Sequence, residues 1–417
     1  MKTPFLVAAA LTAALLAPAS GRGAAAVSRA APANCPALDA DLPWYGDNRD
    51  ALQAFIDSAG ACTRPDAHPL AVFDWDNTVV RNDTGTATLV WMVRNSKVLQ
   101  PERKDWSTTS RYLTPAAADA LHTACADAAP AGQPLPTADH ARCADEILSV
   151  YLDAETSDRE PAFGNYDHRR IEPAYAWAAQ LLAGHGPEDV LAFARAAREE
   201  SLAAPVDSTR TAWKVPAWVR YYEQIADLIG TLGRAGFDVR VVSASAEPVA
   251  RVWAEPLGIP GEHVIGIRNR VEGGELTPHL VGCGGEGEDA VITYVEGKRC
   301  FINQEILGIT GPAAFEPAPA GLRQAFAAGD STTDVVFVAD ATGLRLVINR
   351  QRQELMCRAY DDEDGNWLVN PMFIEPLPRR ATPYPCSTTA YTRPDGSAAP
   401  VLDDRGRVVP DQPDSVY

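Results

Sequence analysis

The sequence is short of positive charge, of long apolar runs and of clustered metal-binding residues, and each shortage removes a class of function. Its 417 residues carry 37 Lys and Arg against 55 Asp and Glu, for a formal net charge of −18. A protein that grips the phosphate backbone needs a basic face, so nucleic acid is excluded as a partner. No apolar run reaches the ~18 residues a bilayer requires, so no membrane-spanning helix is expected. There is no CxxC and no Cys/His cluster, which argues against structural zinc. The acidic, Gly-rich patch from Gly284 to Asp289 lacks calcium-loop spacing and reads as a solvated turn. What remains is the balance of an ordinary folded protein, 46% hydrophobic and 22% charged. At roughly 150 residues per domain, the length suits two or three domains, or one large domain bearing an insertion.

The N-terminus has the form of an export signal over residues 1–19. Lys2 supplies the positive end, Phe5 to Leu16 the apolar stretch, and Ala17-Pro18-Ala19 the small-residue cleavage site. Gly21 to Ala33 is Ala-rich and reads as a flexible lead-in. All eight cysteines lie beyond this signal, and an even number suits an oxidising compartment. Pairing each with its sequence neighbour gives 35–62, 125–143, 283–300 and 357–386, each clipping one loop region. The chain is thus expected to be secreted, either extracellular or periplasmic.

Four short apolar runs end abruptly in a polar residue. They are Leu70 to Asp74, Val239 to Ser243, Ala325 to Asp330, and Leu344 to Ile348 with Asn349 after it. Runs of this kind fit buried parallel strands. Between them lie helical spacings, as at Trp218, Tyr222, Ile225, Ile229 and Leu232 with Gly236 as the stop, and again at Pro248, Val249, Val252 and Trp253. Strand, polar residue, helix, repeated, describes a doubly wound α/β sheet. The interval from Asp83 to about Pro205 is too long for a loop and carries its own helices, Ile171–Leu182 and Pro187–Glu200, so a mainly helical insertion is expected. Beyond Pro376 the chain is rich in Pro, Thr and Asp without periodicity. It reads as an irregular arm, tied at Cys386 and mobile at its end.

In open α/β sheets, ligands bind beyond the carboxyl ends of the strands. Three runs deliver Asp74, Ser243 and Asp330 there, within Asp74-Trp75-Asp76-Asn77-Thr78 and Gly329-Asp330-Ser331-Thr332-Thr333-Asp334, and Gly297-Lys298 lies between. Carboxylates so close repel unless a cation offsets them, and a hard, oxygen-seeking ion such as Mg²⁺ suits the cluster. Lys298 and the Ser243 hydroxyl then offer donors to an anion, with phosphate the obvious one; Ser245 is a second candidate.

At these residues the chain resembles the haloacid dehalogenase-like superfamily. Asp74-Trp75-Asp76-Asn77-Thr78 is similar to its DxDxT motif, Ser243 after Val-Val to the second motif, Lys298 to the third, and Gly329-Asp330 through Asp334 to the fourth. The resemblance implies a Rossmann-like α/β core with a parallel sheet, over residues 20–83 and 206–375. An insertion straight after the first motif resembles the phosphoserine-phosphatase-like branch, and implies a helical cap over 84–205 with the arm at 376–417. It further implies a phosphate monoesterase that works through an aspartyl-phosphate, with Asp74 as nucleophile and Asp76 as the acid and base. Magnesium would be held by the Asp74 side chain, the Asp76 carbonyl and Asp330, with Asp334 completing the site. Dehalogenases lack the second Asp, so Asp76 speaks against carbon–halogen chemistry.

Substrate choice is expected in the cap. Asp83 stands where phosphoserine-phosphatase-like enzymes put an acid that meets a substrate amine. The export signal, Ser243-Ala244-Ser245 and Leu368-Val369-Asn370-Pro371-Met372 resemble secreted phosphorylcholine phosphatases, and the region's many Trp and Tyr residues offer rings for an ammonium cage. Thr84-Gly85-Thr86-Ala87 departs from that pattern, because it lacks the further acids choline-phosphate enzymes tend to carry. The partner expected is a small phosphate ester, with no obligate protein partner. The alternatives are a broad-specificity acid phosphatase of the same fold, or a non-catalytic extracellular binding protein on that scaffold.

Overall fold

The computed structural model describes residues 35–416, so the export signal expected over 1–19 and the lead-in after it lie outside the described residues. The main sheet has six parallel strands: β1 (Leu70–Phe73), β2 (Asp238–Ala246), β3 (Val264–Ile267), β4 (Phe326–Gly329), β5 (Leu344–Asn349) and β6 (Trp367–Pro371). Their order is β6-β5-β4-β1-β2-β3, with β1 between β4 and β2. The four expected runs are thus the four inner strands. Every residue of β1, β4 and β5 is buried, because helices cover both sheet faces.

Helix α1 (Asn48–Ala59) precedes the sheet. The helix leading into β2 runs Glu223–Arg234 and buries Ile225, Leu228, Ile229 and Leu232 against the sheet. It starts later than its apolar spacing suggests, because Arg220–Tyr221 pairs instead with Val80–Arg81 as a short antiparallel ribbon. Gly236 ends it at φ +86°, where a Cβ would also lie 2.5 Å from that of Ala61.

Between β1 and β2 the chain inserts α2 (Thr84–Arg94), α3 (Pro115–Cys125), α4 (Ala141–Leu152), α5 (Pro173–Gln180) and α6 (Pro187–Ala203). Proline stands in the first turn of α3, α5 and α6, where its missing N–H costs nothing. These helices bury their own cluster, including Trp106, Leu121, Ile147 and Trp177. The expectations of a helical insertion and of α5 and α6 within it agree with this, although α5 is shorter at both ends. After β3, the segment expected to be hairpin-like forms the hairpin Asn269–Glu272 with Glu275–Leu280, followed by α7 (Glu296–Glu305).

The C-terminal arm differs from expectation. It is irregular, with one small ribbon of Tyr391–Thr392 and Ala398–Ala399, but its end is held rather than mobile. Asp414, 2% exposed, accepts from Asn349 Nδ2 at 3.1 Å, Tyr360 Oη at 2.7 Å and the Arg380 amide at 2.9 Å. A buried carboxylate with three donors anchors a segment that composition alone describes as loose.

The four cysteine pairs expected from sequence neighbours are the pairs the fold brings together, with Cα–Cα distances of 5.3, 4.9, 6.1 and 5.6 Å. Among the described residues no cysteine is free. Such pairs suit an oxidising compartment, and each bond stabilises by about 2–4 kcal/mol. Titration of the denatured, unreduced protein with a thiol reagent is expected to find essentially no free thiol. Two or more reactive thiols per chain would contradict this pairing.

Candidate active site

Three loops at the carboxyl ends of inner strands and the start of one helix converge on one point. The first follows β1. Thr78 and Val79 amides return to the Trp75 carbonyl at 3.2 and 2.8 Å, and Asn77 turns through φ 66°, a region Asn tolerates. This tight turn buries Trp75 completely and leaves Asp74 and Asp76 facing a cavity. Thr78 Oγ1 donates to Asp74 Oδ2 at 2.8 Å and to Asp330 Oδ1 at 3.2 Å, tying the first loop to the third.

The third loop follows β4. Asp334 Oδ2 accepts from the Asp330 and Ser331 amides, both at 2.9 Å, and folds the loop back on itself. Gly329 is required here, since a Cβ would lie 2.5 Å from that of Asp334. Lys298 enters from the first turn of α7. A Cβ on Gly297 would sit 1.8 Å from the Ile292 carbonyl oxygen, and Val295 is forced to φ 46°, an outlier for a β-branched residue. The result is a fully buried ammonium 2.6 Å from Asp74 Oδ1 and 2.7 Å from Asp334 Oδ1.

The second loop resolves the choice between serines by position. Ser243 is fully buried; its Oγ accepts the Ser245 amide at 3.1 Å and its carbonyl accepts from Thr293. Ser245 lines the cavity and donates to Asp76 Oδ2 at 2.6 Å. The other Asp76 oxygen accepts from the Thr84 amide and hydroxyl, both at 2.7 Å. Burial, then the nearby charge of Asp83, push the Asp76 carboxyl up to about 7, against the pull of these donors. Asp83 caps α2 through the Thr86 amide at 2.6 Å and also lines the cavity.

The cavity holds about 320 Å³, a small-molecule volume. Of the aromatic residues singled out in the insertion, Tyr151 and Tyr175 line it, joined by Tyr294 from the core. Trp106, Trp177, Trp218 and Tyr222 are packed in hydrophobic interior instead. Arg350, which the sequence reading missed, also lines the cavity and pairs with Asp330 Oδ2 at 2.5 Å. Its signal was the fourth apolar run, noted as ending at Asn349, one residue short.

Among the described residues, Asp74, Asp330 and Asp334 each offer an oxygen within 4.8 Å of the others, and all three are buried. Burial, reinforced for Asp74 by Asp334, holds the Asp74 and Asp330 carboxyls above the usual carboxylate range, although Lys298 and Arg350 pull the other way. The three carboxylates are paired with two cations, Lys298 and Arg350, which leaves one negative charge over when all are ionised. Hard oxygens, close spacing and residual negative charge fit a small divalent cation such as Mg²⁺.

Replacing Lys298 by Met keeps the volume and removes the ammonium, leaving two buried carboxylates without their cation. With metal absent, urea unfolding at neutral pH is expected to show a loss of about 3–5 kcal/mol. The loss should shrink as pH falls, because the carboxylates then bind protons and need no partner. An unchanged midpoint would mean that the ion pairs contribute little.

No protein-family model and no curated protein matches the chain. Among solved structures it is similar to a conserved protein of unknown function from Anaerococcus prevotii DSM 20548, with a TM-score of 0.57 and 20% identity over 80% of this chain and 93% of that one. A protein of unknown function from Bordetella pertussis Tohama I aligns at 17% identity over 73% of this chain and 99% of that one, with a TM-score of 0.44. A substrate-bound phosphoserine phosphatase aligns at 15% identity over 67% and 86% of the two chains, with a TM-score of 0.33. The likeness to the Anaerococcus protein is one of fold alone, and that fold is the parallel α/β sheet described above.

Proposed function

We propose that the chain is an exported hydrolase of small phosphate monoesters that uses Mg²⁺ and an aspartyl-phosphate on Asp74. In this reading residues 84–205 cap a core of 20–83 and 206–375, and 376–417 form an arm. The observation that carries it is the pair Asp74 and Asp76 on one turn with different partners. Asp74 lies between Lys298 and Thr78, oriented and at the cavity floor. Asp76 faces hydroxyl donors and is pushed up to about 7, where a group both gives and takes a proton.

The chemistry divides accordingly. An Asp74 oxygen attacks phosphorus, the bond from phosphorus to the ester oxygen breaks, and Asp76 gives its proton to that oxygen. Water then attacks the phosphorus of the aspartyl-phosphate, Asp76 takes the water proton, and the bond from phosphorus to Asp74 breaks to release phosphate. Two easier steps replace one very slow hydrolysis. Bound Mg²⁺, held by Asp74, Asp330, Asp334 and the Asp76 carbonyl, supplies charge neutralisation and polarises phosphoryl oxygens. Lys298 orients the nucleophile through its pair with Asp74, and of the two second-motif serines Ser245, at the cavity wall, offers a hydroxyl to the phosphoryl side while Ser243 supports the Ser245 amide from beneath. Asp83 meets a cationic group on the leaving alcohol, so phosphorylcholine or a similar amine-bearing ester is the substrate class favoured.

Turnover of a chromogenic phosphate ester is expected to vanish in excess EDTA and return with Mg²⁺, and Asp330→Asn should raise the Mg²⁺ concentration required. Full activity under chelation would remove the metal from the reading.

The two aspartates are separable by a burst experiment with nitrophenyl phosphate, whose leaving group needs no proton. Asp76→Asn should release nitrophenolate in a burst approaching one per site and then stall, because no base activates water. Asp74→Asn should give no burst and no phosphoryl adduct by intact-protein mass measurement. Near-normal turnover by the Asp74→Asn protein would overturn the assignment.

A further inference from the structure

Arg350 follows the last residue of β5 and is, with the exposed Arg352, one of two cations at the cavity that the four motifs do not account for. Its backbone is pinned from the arm: Asn349 Nδ2 donates to Asp414, Asn349 Oδ1 accepts from the Gln351 amide at 2.9 Å, and Gln351 Nε2 donates to the Pro378 carbonyl at 2.6 Å. Gln351 takes φ +59°, which turns the chain away after Arg350. The side chain is 22% exposed, and its partner Asp330 is 1% exposed.

A guanidinium carries five N–H donors in a planar fork. Among the described residues its hydrogen bond is the single one from Nη1 to Asp330 Oδ2. Arg350 lines the cavity together with Asp83 and Tyr175. Lys298, in contrast, is fully buried and engaged with both Asp74 and Asp334. An incoming phosphate dianion must enter a space dominated by carboxylates, and Arg350 is the cation there with donors to spare. Its tie to Asp330, whose other oxygen shares Thr78 with Asp74, keeps it at the floor where phosphorus is attacked. Arg352, exposed at the mouth, has no such tie.

We propose that Arg350 is a further catalytic residue of this site, using the guanidinium edge not taken by Asp330 to bind a non-bridging oxygen of the phosphoryl group. The proposal rests on the phosphomonoesterase reading above. No bond or proton passes to Arg350; it offsets the charge on the equatorial oxygens while Asp74 and water exchange places at phosphorus. The planar fork is the feature used, so lysine should not replace it.

The test compares wild type with Arg350→Lys and Arg350→Ala, all loaded with Mg²⁺, by calorimetric binding of orthovanadate and of inorganic phosphate. Mg²⁺ binding is followed separately by tryptophan fluorescence, since Trp75 adjoins Asp74. Both variants are expected to bind vanadate roughly 10- to 100-fold more weakly, the range for a charge-assisted hydrogen bond, with Mg²⁺ affinity within a few-fold of wild type. Guanidinium ion added to Arg350→Ala should restore part of the lost vanadate affinity, which a folding defect would not allow. Unchanged vanadate affinity would overturn the proposal. So would an equal loss of vanadate and Mg²⁺ affinity, which would make Arg350 only a support for Asp330. Loss confined to esters bearing a distal carboxylate would overturn it too, assigning Arg350 to the leaving group. If wild type itself neither binds vanadate nor hydrolyses phosphate esters, the phosphomonoesterase reading fails, and this proposal with it.

Discussion

A lysine ammonium with no exposure sits between two buried carboxylates, and much of the fold serves to keep it there. Burial alone would push Lys298 toward its neutral form, but Asp334 and Asp74 outweigh that and hold it charged. Charges taken out of water cost several kcal/mol each unless geometry repays them. The geometry comes from three strand ends and one helix start. It explains why Gly297 and Gly329 have no room for a side chain and why Val295 tolerates a strained backbone. Buried pairs of this sort are weak evidence for stability, and strong evidence that the arrangement is kept for another purpose.

The insertion is seated on the core by the same kind of interaction. Arg169, 3% exposed and just ahead of α5, reaches Glu354 on the helix Gln353–Asp361 at 2.6 Å, with Glu354 fully buried. The same guanidinium stacks over the Tyr391 ring of the C-terminal arm at 4.4 Å. Arg169 thus joins insertion, core and arm at one point. The arm also holds the end of β5 through Asp414, so a segment that looks like a tail is part of the wall behind the site.

Much of this was legible in the residues. Short apolar runs ending in a polar residue marked the inner strands, because a strand buried on both faces has no use for alternation. Asp74 and Asp330 were legible for the same reason, as charges at the ends of apolar runs, whereas Asp76, Asp334 and Lys298 were read from their order along the chain and from the resemblance that order carries. The edge strands were not read: β6 is Trp-Leu-Val-Asn-Pro, half-buried and mixed in pattern, whereas β3, Val-Ile-Gly-Ile and buried throughout, is a short apolar run that was passed over. Arg350 was missed because one arginine after a strand looks like any solvated residue until its neighbours are known. Trp106 and Trp177 are core, as most such rings are, and composition alone does not separate the rings of a cage from those of a core.

The sequence by itself determined the parallel α/β core, the helical insertion after the first strand and the order of the acidic and basic site residues. These depend on contacts that are local, or on patterns repeated along the chain. Only the tertiary structure decided that Ser245 faces the cavity while Ser243 lies beneath it, that Arg350 completes the floor, and that the arm is anchored at Asp414. Each of those depends on which way a side chain turns at the junction of elements far apart in sequence. That direction is set by packing and by the need to pair buried charge, which no local pattern records.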